Sequence, residues 1–529
     1  MSVNEAESQS VINKLASAIG AEYVLTEAAD REFYSMDVYK ARELPIAIAQ
    51  PGTVADLQAI VRIAAEADVA MVLRGGGASY TDGYVCASAK SILIDTSRLN
   101  TIIEINEDDM YVTVQPGVTW AQLDEALAAK GLRTPFWGPF SGLMATIGGS
   151  ATQNSVSLGS GTFGVSADSI LAMEVVIANG EILRTGSLAT ENTTPFFRYW
   201  GPDFTGLFCG DAGVLGIKAR ITLRLIKRPM HRATCSFGFH DFNSLAYGMA
   251  AAAREGVVDT NFGLDPKLQQ GQLGGTDGAA MKQAAIAVFK ASRNVFDGLF
   301  QLIKMGIAGK SFLAGYDYSA HFSIDGYSHA EVAHKLASVR KAVAMHGTEI
   351  ANTMPTVLMA MPFIPLYPIL GPQGQRWVPM HGIMPFSKLI AFNDKLDLLY
   401  ASYADRMLAA KVEKAAMFTS ISTTGFLFEP VFYWEDDRTV FHKRYLPQEY
   451  LDVLPEYPAN PEGRALVAEM KDAIQDVFTE FGAVHMQLGK AYPYMRGRES
   501  QSTALIRQIK TELDPKGLMN PGGLKGLTD

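Results

Sequence analysis

Cysteine is scarce in this chain: Cys86, Cys209 and Cys235 are the only three among 529 residues. Three cannot build a disulfide framework, and no C-x-x-C pair offers zinc ligands, so a reducing compartment is expected. A basic surplus is missing too, with 46 Lys+Arg against 55 Asp+Glu and a formal charge of -9. Such a surface has little with which to displace counterions from a phosphate backbone, which argues against nucleic acid as a partner. No long apolar run is free of breaks. Met354 to Leu370 comes nearest, but it carries Pro355, Pro362, Pro365 and Pro368, each removing a backbone donor that a membrane helix needs. A pocket wall or packed loop is expected there. The start, MSVNEAESQS, has neither the basic residues nor the apolar core of a secretory signal, so a cytoplasmic location is expected. Internal repeats and low-complexity tracts are absent.

What remains is an ordinary globular composition, 48% hydrophobic and 19% charged, on a chain long enough for two or more cores. Helices and strands alternate in the first part. Val54 to Ala67 has helical apolar spacing, and Ala70 to Leu73 is a short strand running into Arg74-Gly75-Gly76-Gly77. Ser91 to Ile94, Met110 to Val114 and Ile217 to Ile226 read as strands, and Thr119 to Gly131 as a helix ending at glycine. Ile170 to Ile177 and Ile182-Leu183 read as a hairpin through Asn179-Gly180. After Arg228 the texture shifts to long helical stretches, Met281 to Ile307 and His329 to His346, with fewer glycine clusters. A helix from Gln501 to Leu513 closes the chain. The expected division is residues 1–228, 229–481 and a returning segment 482–529.

Glycine is clustered at Arg74 to Ser79, Ala145 to Ser150 and Gly159 to Gly164. Successive glycines let backbone N–H groups converge on one anion. One cluster alone is better read as a tight turn; three in one domain favour a phosphate-bearing cofactor. Neither a G-x-G-x-x-G dinucleotide fingerprint nor a P-loop occurs, so the phosphates are expected across loops and not on a helix N-terminus.

These loops resemble a known family. In order, the chain reads Pro51-Gly52-Thr53 with Asp56-Leu57, Arg74-Gly75-Gly76-Gly77, Val114-Gln115-Pro116-Gly117-Val118-Thr119-Trp120, Ala145-Thr146-Ile147-Gly148-Gly149, and Gly210-Asp211-Ala212-Gly213-Val214-Leu215-Gly216-Ile217. With Leu513-Asp514-Pro515-Lys516-Gly517-Leu518-Met519-Asn520-Pro521-Gly522 near the end, this set is similar to the vanillyl-alcohol oxidase / p-cresol methylhydroxylase superfamily. The resemblance covers about the first 228 residues and the last few dozen. It implies an α+β fold: a two-subdomain FAD-binding domain of the p-cresol methylhydroxylase type, plus a cap domain with an antiparallel sheet flanked by helices. It implies Arg74, Gly75, Gly76, Gly77, Ala78, Ser79, Pro116, Thr146, Gly148, Gly149, Gly216, Ile217 and Asn520 as FAD-binding residues, and no metal. Many members attach FAD through a histidine where this chain has Ala78, or through a cap histidine where it has Thr424 to Glu429. Non-covalent FAD is therefore expected, although Tyr433 offers an aryl-ether alternative.

The cap resembles the phenol-oxidising branch through Arg376-Trp377-Val378-Pro379, His381-Gly382 and Ala483 to Gln487. His485 and Met486 fall where that branch carries a Tyr-Arg pair for a phenolate; a slip of the alignment brings Gln487 or Lys490 there instead. His381 and His485 are candidate proton acceptors near neutral pH. Tyr492 to Arg498 reads either as a surface loop or as a substrate clamp, with Tyr494 a candidate phenol. Tyr433 and Glu429 read either as substrate-positioning groups or as a core tyrosine and a solvent-facing glutamate. The resemblance implies an FAD-dependent oxidoreductase acting on a para-hydroxylated, lignin-derived aromatic alcohol. Oxygen or another electron acceptor would serve as partner, and a homo-oligomer is expected. Open alternatives are a redox-neutral lyase releasing formaldehyde from an aromatic dimer, a 2-hydroxy-acid dehydrogenase (lowered by the lack of an H-x-G-D-G-N-like segment), and a non-catalytic flavin-binding protein.

Overall fold

The computed structural model describes residues 5–269 and 315–527; the helix expected over Met281 to Ile307 lies outside them. Two small sheets form the first half. One is four-stranded, in the order Val24–Leu25, Ile48–Ala49, Ser91–Asp95 and Ala70–Arg74, the last three running parallel. The helix Val54–Glu66 buries Leu57, Ile60, Val61 and Ala64 beneath it, and a reciprocal Thr53–Asp56 capping box starts that helix. The other sheet is five-stranded and antiparallel: Ile102–Asn106, Tyr111–Val114, Ile217–Arg224, Ile170–Val176 and Ile182–Arg184. Its last two strands form the hairpin expected through Asn179-Gly180, where Gly180 has φ +80°.

The cap sheet is antiparallel and eight-stranded. Its order is Thr348–Ile350, His231–Phe239, Tyr318–Gly326, Thr260–Leu264, Val412–Ile421, Gly425–Trp434 and Arg376–Pro379, with Gly382–Met384 also on Gly425–Trp434. Strand periodicity divides its residues between two faces. Phe237, Phe322, Phe418, Phe428, Phe432 and Trp434 join the core formed with helices Phe242–Arg254, Leu389–Ala409 and Pro461–Glu480. The opposite face looks toward the first half, where Phe262 meets Phe140 and Trp377 meets Tyr80 edge-on.

The proline-rich stretch contains the helix Thr353–Ala360, with Pro355 in its first turn where a missing N–H costs no helical bond. Phe363 beyond it packs on Trp137. The end of the chain pairs back onto the first sheet, with Met71 N–H donating to Leu518 O and Asn520 N–H to Met71 O. Among the described residues no helix is long and apolar enough to cross a membrane.

Candidate functional site

A cleft opens beyond the C-terminal end of the strand Ala70–Arg74, where ligands of parallel sheets usually lie. Arg74, Gly75, Gly76, Gly77, Ala78, Ser79, Pro116, Thr146, Gly148, Gly149 and Ile217 all line it. Gly148 and Gly149 do not lie in a loop as expected. They form the first turn of the short helix Ile147–Gln153, capped by Thr146 Oγ1 accepting from Gly149 N–H. Several glycines are required by the neighbouring loop. A Cβ on Gly76 would stand 1.8 Å from Met144 O, one on Gly75 2.4 Å from Thr146 Oγ1, and one on Gly148 2.5 Å from Pro116 Cβ. Their absence of side chains lets the loops close on one another and form the cleft wall.

Arg74 decides what the cleft can hold. It is 2% exposed, and its guanidinium lies among the rings of Phe33, Tyr34, Tyr84, Phe441 and Tyr445 at 4.6–5.9 Å. Nη2 donates to Tyr445 Oη, and among the described residues Nη1 has no partner and no carboxylate pairs with the guanidinium. A buried cation with an open donor needs an anion, and the pyrophosphate of FAD fits the glycine-walled cleft beside it.

Two expected cofactor residues, and the third glycine cluster, take other places. Gly216 packs against Val175 in the sheet, leaving the lining to Ile217. Asn520 is spent on closure: its Nδ2 donates to Gly83 O and Ala212 O, and its Oδ1 accepts from Lys490 Nζ at 2.5 Å. The third glycine cluster faces the cap, with Gly161 N–H bonded to Asp259 O and Ser160 O accepting from Ser422 N–H.

Above the cleft, the open face of the cap sheet and the segment after Phe481 bring a second group together. His485 Nδ1–H donates to His381 O at 2.6 Å, and its ring stacks on Tyr492 with centroids 4.2 Å apart. That bond leaves Nε2 as the acceptor nitrogen. His381 is fully buried between Tyr80 and Tyr492; its backbone N–H donates to Tyr492 Oη, while both ring nitrogens lack partners. Burial lowers the pKa of both imidazoles, that of His381 to about 3, so both are neutral at pH 7. Gln487, at φ +46°, lines the cleft and hydrogen-bonds Tyr80, joining the two regions. Glu429 is buried and not solvent-facing, and burial pushes its pKa up to about 8. Tyr433 lies on the same face, four residues along the strand and opposite Trp377.

Two candidates stand apart. Lys490 points away from the cluster into Asn520 and the carbonyls of Asp82 and Gly83. Tyr494 packs in the core of the five-stranded sheet beneath Arg498. Trp377 belongs to the segment Arg376 to Pro379 that carried the cap resemblance, whereas Tyr80 was not singled out from sequence, although it follows the first glycine cluster directly. The polar side of the strand Gly425–Trp434 was legible in its alternation. Phe426, Phe428, Phe432 and Trp434 share one face, which turns Glu429 and Tyr433 to the other.

A family model described as an FAD binding domain matches residues 45–186. Glycolate oxidase subunit GlcD of Bacillus subtilis (strain 168) is 32% identical over 225 residues, 42% of this chain and 46% of that protein. The chain thus spans about half the length of the curated relatives it matches. A solved 4-ethylphenol oxidase from Gulosibacter chungangensis, in complex with isoeugenol, superposes with TM-score 0.72 at 17% identity, covering 99% of this chain and 98% of that one. p-Cresol methylhydroxylase with substrate bound superposes with TM-score 0.70 at 17% identity over 100% and 98%. The matched domain and the anion-seeking cleft agree: the chain carries an FAD-binding domain with FAD as its cofactor, and its overall fold is that of 4-ethylphenol oxidase and p-cresol methylhydroxylase.

Proposed function

We propose that the protein is an FAD-dependent oxidoreductase acting on a para-hydroxylated aromatic alcohol. The observation that carries this reading is the chemistry of the cap face over the cleft. It presents Tyr80, Trp377, His381, Glu429, Tyr433, His485 and Tyr492, and the nearby cations are engaged elsewhere: Lys471, whose charge reaches His381, holds its Nζ 3.8 Å over the Tyr39 ring, Lys490 bonds Asn520, and Arg376 donates to Tyr39 O. An aromatic wall without an arginine or lysine fork suits a neutral aromatic substrate and offers a carboxylate no clamp. FAD supplies the two-electron acceptor for the benzylic C–H. The chain holds the ring between its aromatic side chains and excludes water. His485 Nε2, kept bare by the Nδ1 bond to His381 O, takes the phenolic proton. Tyr492 Oη, which already accepts the His381 N–H, has its own proton to give to a substrate oxygen.

A 2-hydroxy-acid dehydrogenase is the second reading, supported by the similarity to a glycolate oxidase subunit over the FAD-binding half. Anaerobic mixing separates the two. 4-Hydroxybenzyl alcohol should bleach the flavin while D-lactate and glycolate do not, and His485→Ala should slow bleaching by about 10² to 10⁴. Bleaching by the hydroxy acids alone would replace the aromatic reading. We further propose that FAD is held without a covalent bond, because Ala78 lines the cleft where a linking histidine would stand. Acid precipitation should then leave all the flavin in the supernatant.

A further inference from the structure

We propose that Glu429 is a further catalytic residue, whose carboxyl O–H donates a hydrogen bond to the phenolic oxygen of the bound substrate. The inference rests on the aromatic reading above and assigns a group which that reading leaves unused.

Glu429 lies on the side of the strand Gly425–Trp434 turned away from the phenylalanine core, in register with Met417. It is 8% exposed and has no hydrogen-bond or ion-pair partner among the described residues. A buried carboxyl without a partner is costly, and the cost falls when a ligand completes it. The groups facing it come from every neighbouring element. Tyr80 stands on the loop after the first glycine cluster, Tyr492 on the C-terminal segment, and Tyr433 on its own strand. His381 packs on Tyr80 and Tyr492, and His485 stacks on Tyr492. None of these supplies a positive charge, since burial keeps both imidazoles neutral and raises the three phenols. Without a counterion Glu429 holds its proton up to pH about 8. It is then a neutral acid facing three phenols, fitted to donate a hydrogen bond and not to take up a proton.

In the step, the phenolic O–H bond breaks and its proton goes to His485 Nε2. The benzylic hydrogen would leave as hydride with both electrons of the C–H bond, FAD being the acceptor, while the phenolic oxygen becomes the carbonyl oxygen of a quinone methide. Glu429 keeps its proton throughout and stabilises the charge on that oxygen. Once ionised, it would repel the same charge.

The test compares the holoenzyme with Glu429→Gln, which keeps a donor but cannot ionise, and Glu429→Leu, which keeps neither. With 4-hydroxybenzyl alcohol, flavin reduction in the parent should fall as pH rises past about 8. Glu429→Gln should lose that fall, and Glu429→Leu should be slower by about 10²-fold at every pH. Lys471 and Lys490 also titrate near 8. They are unchanged in Glu429→Gln, so a fall that persists in that variant overturns the assignment, as does parent-rate reduction in Glu429→Leu. A second readout needs no turnover. Infrared difference spectra at pH 7 should show a protonated-carboxyl band that is absent in Glu429→Gln and shifts on binding 4-chlorophenol, which has no benzylic hydrogen. A shifting band without reduction by any phenol would keep the contact and reject the aromatic-alcohol reading. Reduction with an unmoved band would do the reverse.

Discussion

Arg74 shows how one side chain can commit a fold to a ligand. Five aromatic rings accept its guanidinium in place of a carboxylate, so its charge is sheltered but never neutralised. A charge-assisted bond of this kind contributes about 1.5–3 kcal/mol. Arg74→Met should therefore weaken FAD binding by roughly ten- to a hundredfold while the apoprotein melts no earlier. Titrating apoprotein with FAD checks the first, and a thermal melt the second. Undiminished affinity would move the pyrophosphate elsewhere. Glu429 makes a different promise, about pH. Its folded carboxyl holds a proton up to about 8, whereas the unfolded chain releases it near 4.5. Between those values the native state binds the extra proton, so stability falls as pH rises, by about 1.4 kcal/mol per unit. The stability difference between parent and Glu429→Gln, from urea midpoints at pH 5 and pH 8, should shift toward the variant at pH 8. An unchanged difference would mean the carboxyl is ionised when folded.

Elements carry the next constraint, because the cleft wall is two loops in contact. Gly76 has no room for a Cβ beside Met144 O, while Gly149 has only Thr146 Oγ1 nearby at 3.2 Å. Gly76→Ala should destabilise the apoprotein itself by about 1–3 kcal/mol, the usual cost of overpacking. Gly149→Ala should leave the apoprotein melting temperature unchanged, so any lost flavin there reports ligand approach alone. Equal melting of the two apoproteins would show that the loops separate freely.

At the scale of the whole molecule, the cap is held by a buried ion network. Arg133, from the first half, donates to Asp325 at 2.8 Å and Asp259 at 2.9 Å, and Arg232 adds two bonds to Asp325. Removing one member leaves buried carboxylates uncompensated, at a cost of about 3–5 kcal/mol. Arg133→Ala should lower stability by that amount and raise hydrogen exchange in the strand Tyr318–Gly326, with the sheet around Ala70–Arg74 less affected. Parent-like exchange in that strand would reduce the network to a surface ornament.

The sequence by itself determined the local elements and the cofactor loops. Helix Val54–Glu66, strand Ala70–Arg74 and the hairpin after Ile170 follow from periodicity and turn chemistry within a few residues of each other. The ordered glycine motifs marked the lining of the cleft for the same reason, since close approach of backbone leaves glycine no substitute. Which residues meet across the chain was a different matter. His381 and His485 are 104 positions apart, yet share a hydrogen bond. Arg74 finds Tyr445 across 371 positions, and Lys490, similar on paper to a catalytic lysine, is drawn into Asn520. Packing also decided charge: sequence showed a glutamate and two histidines, and only burial made the one a proton holder and the others neutral, because desolvation depends on what surrounds a group in space.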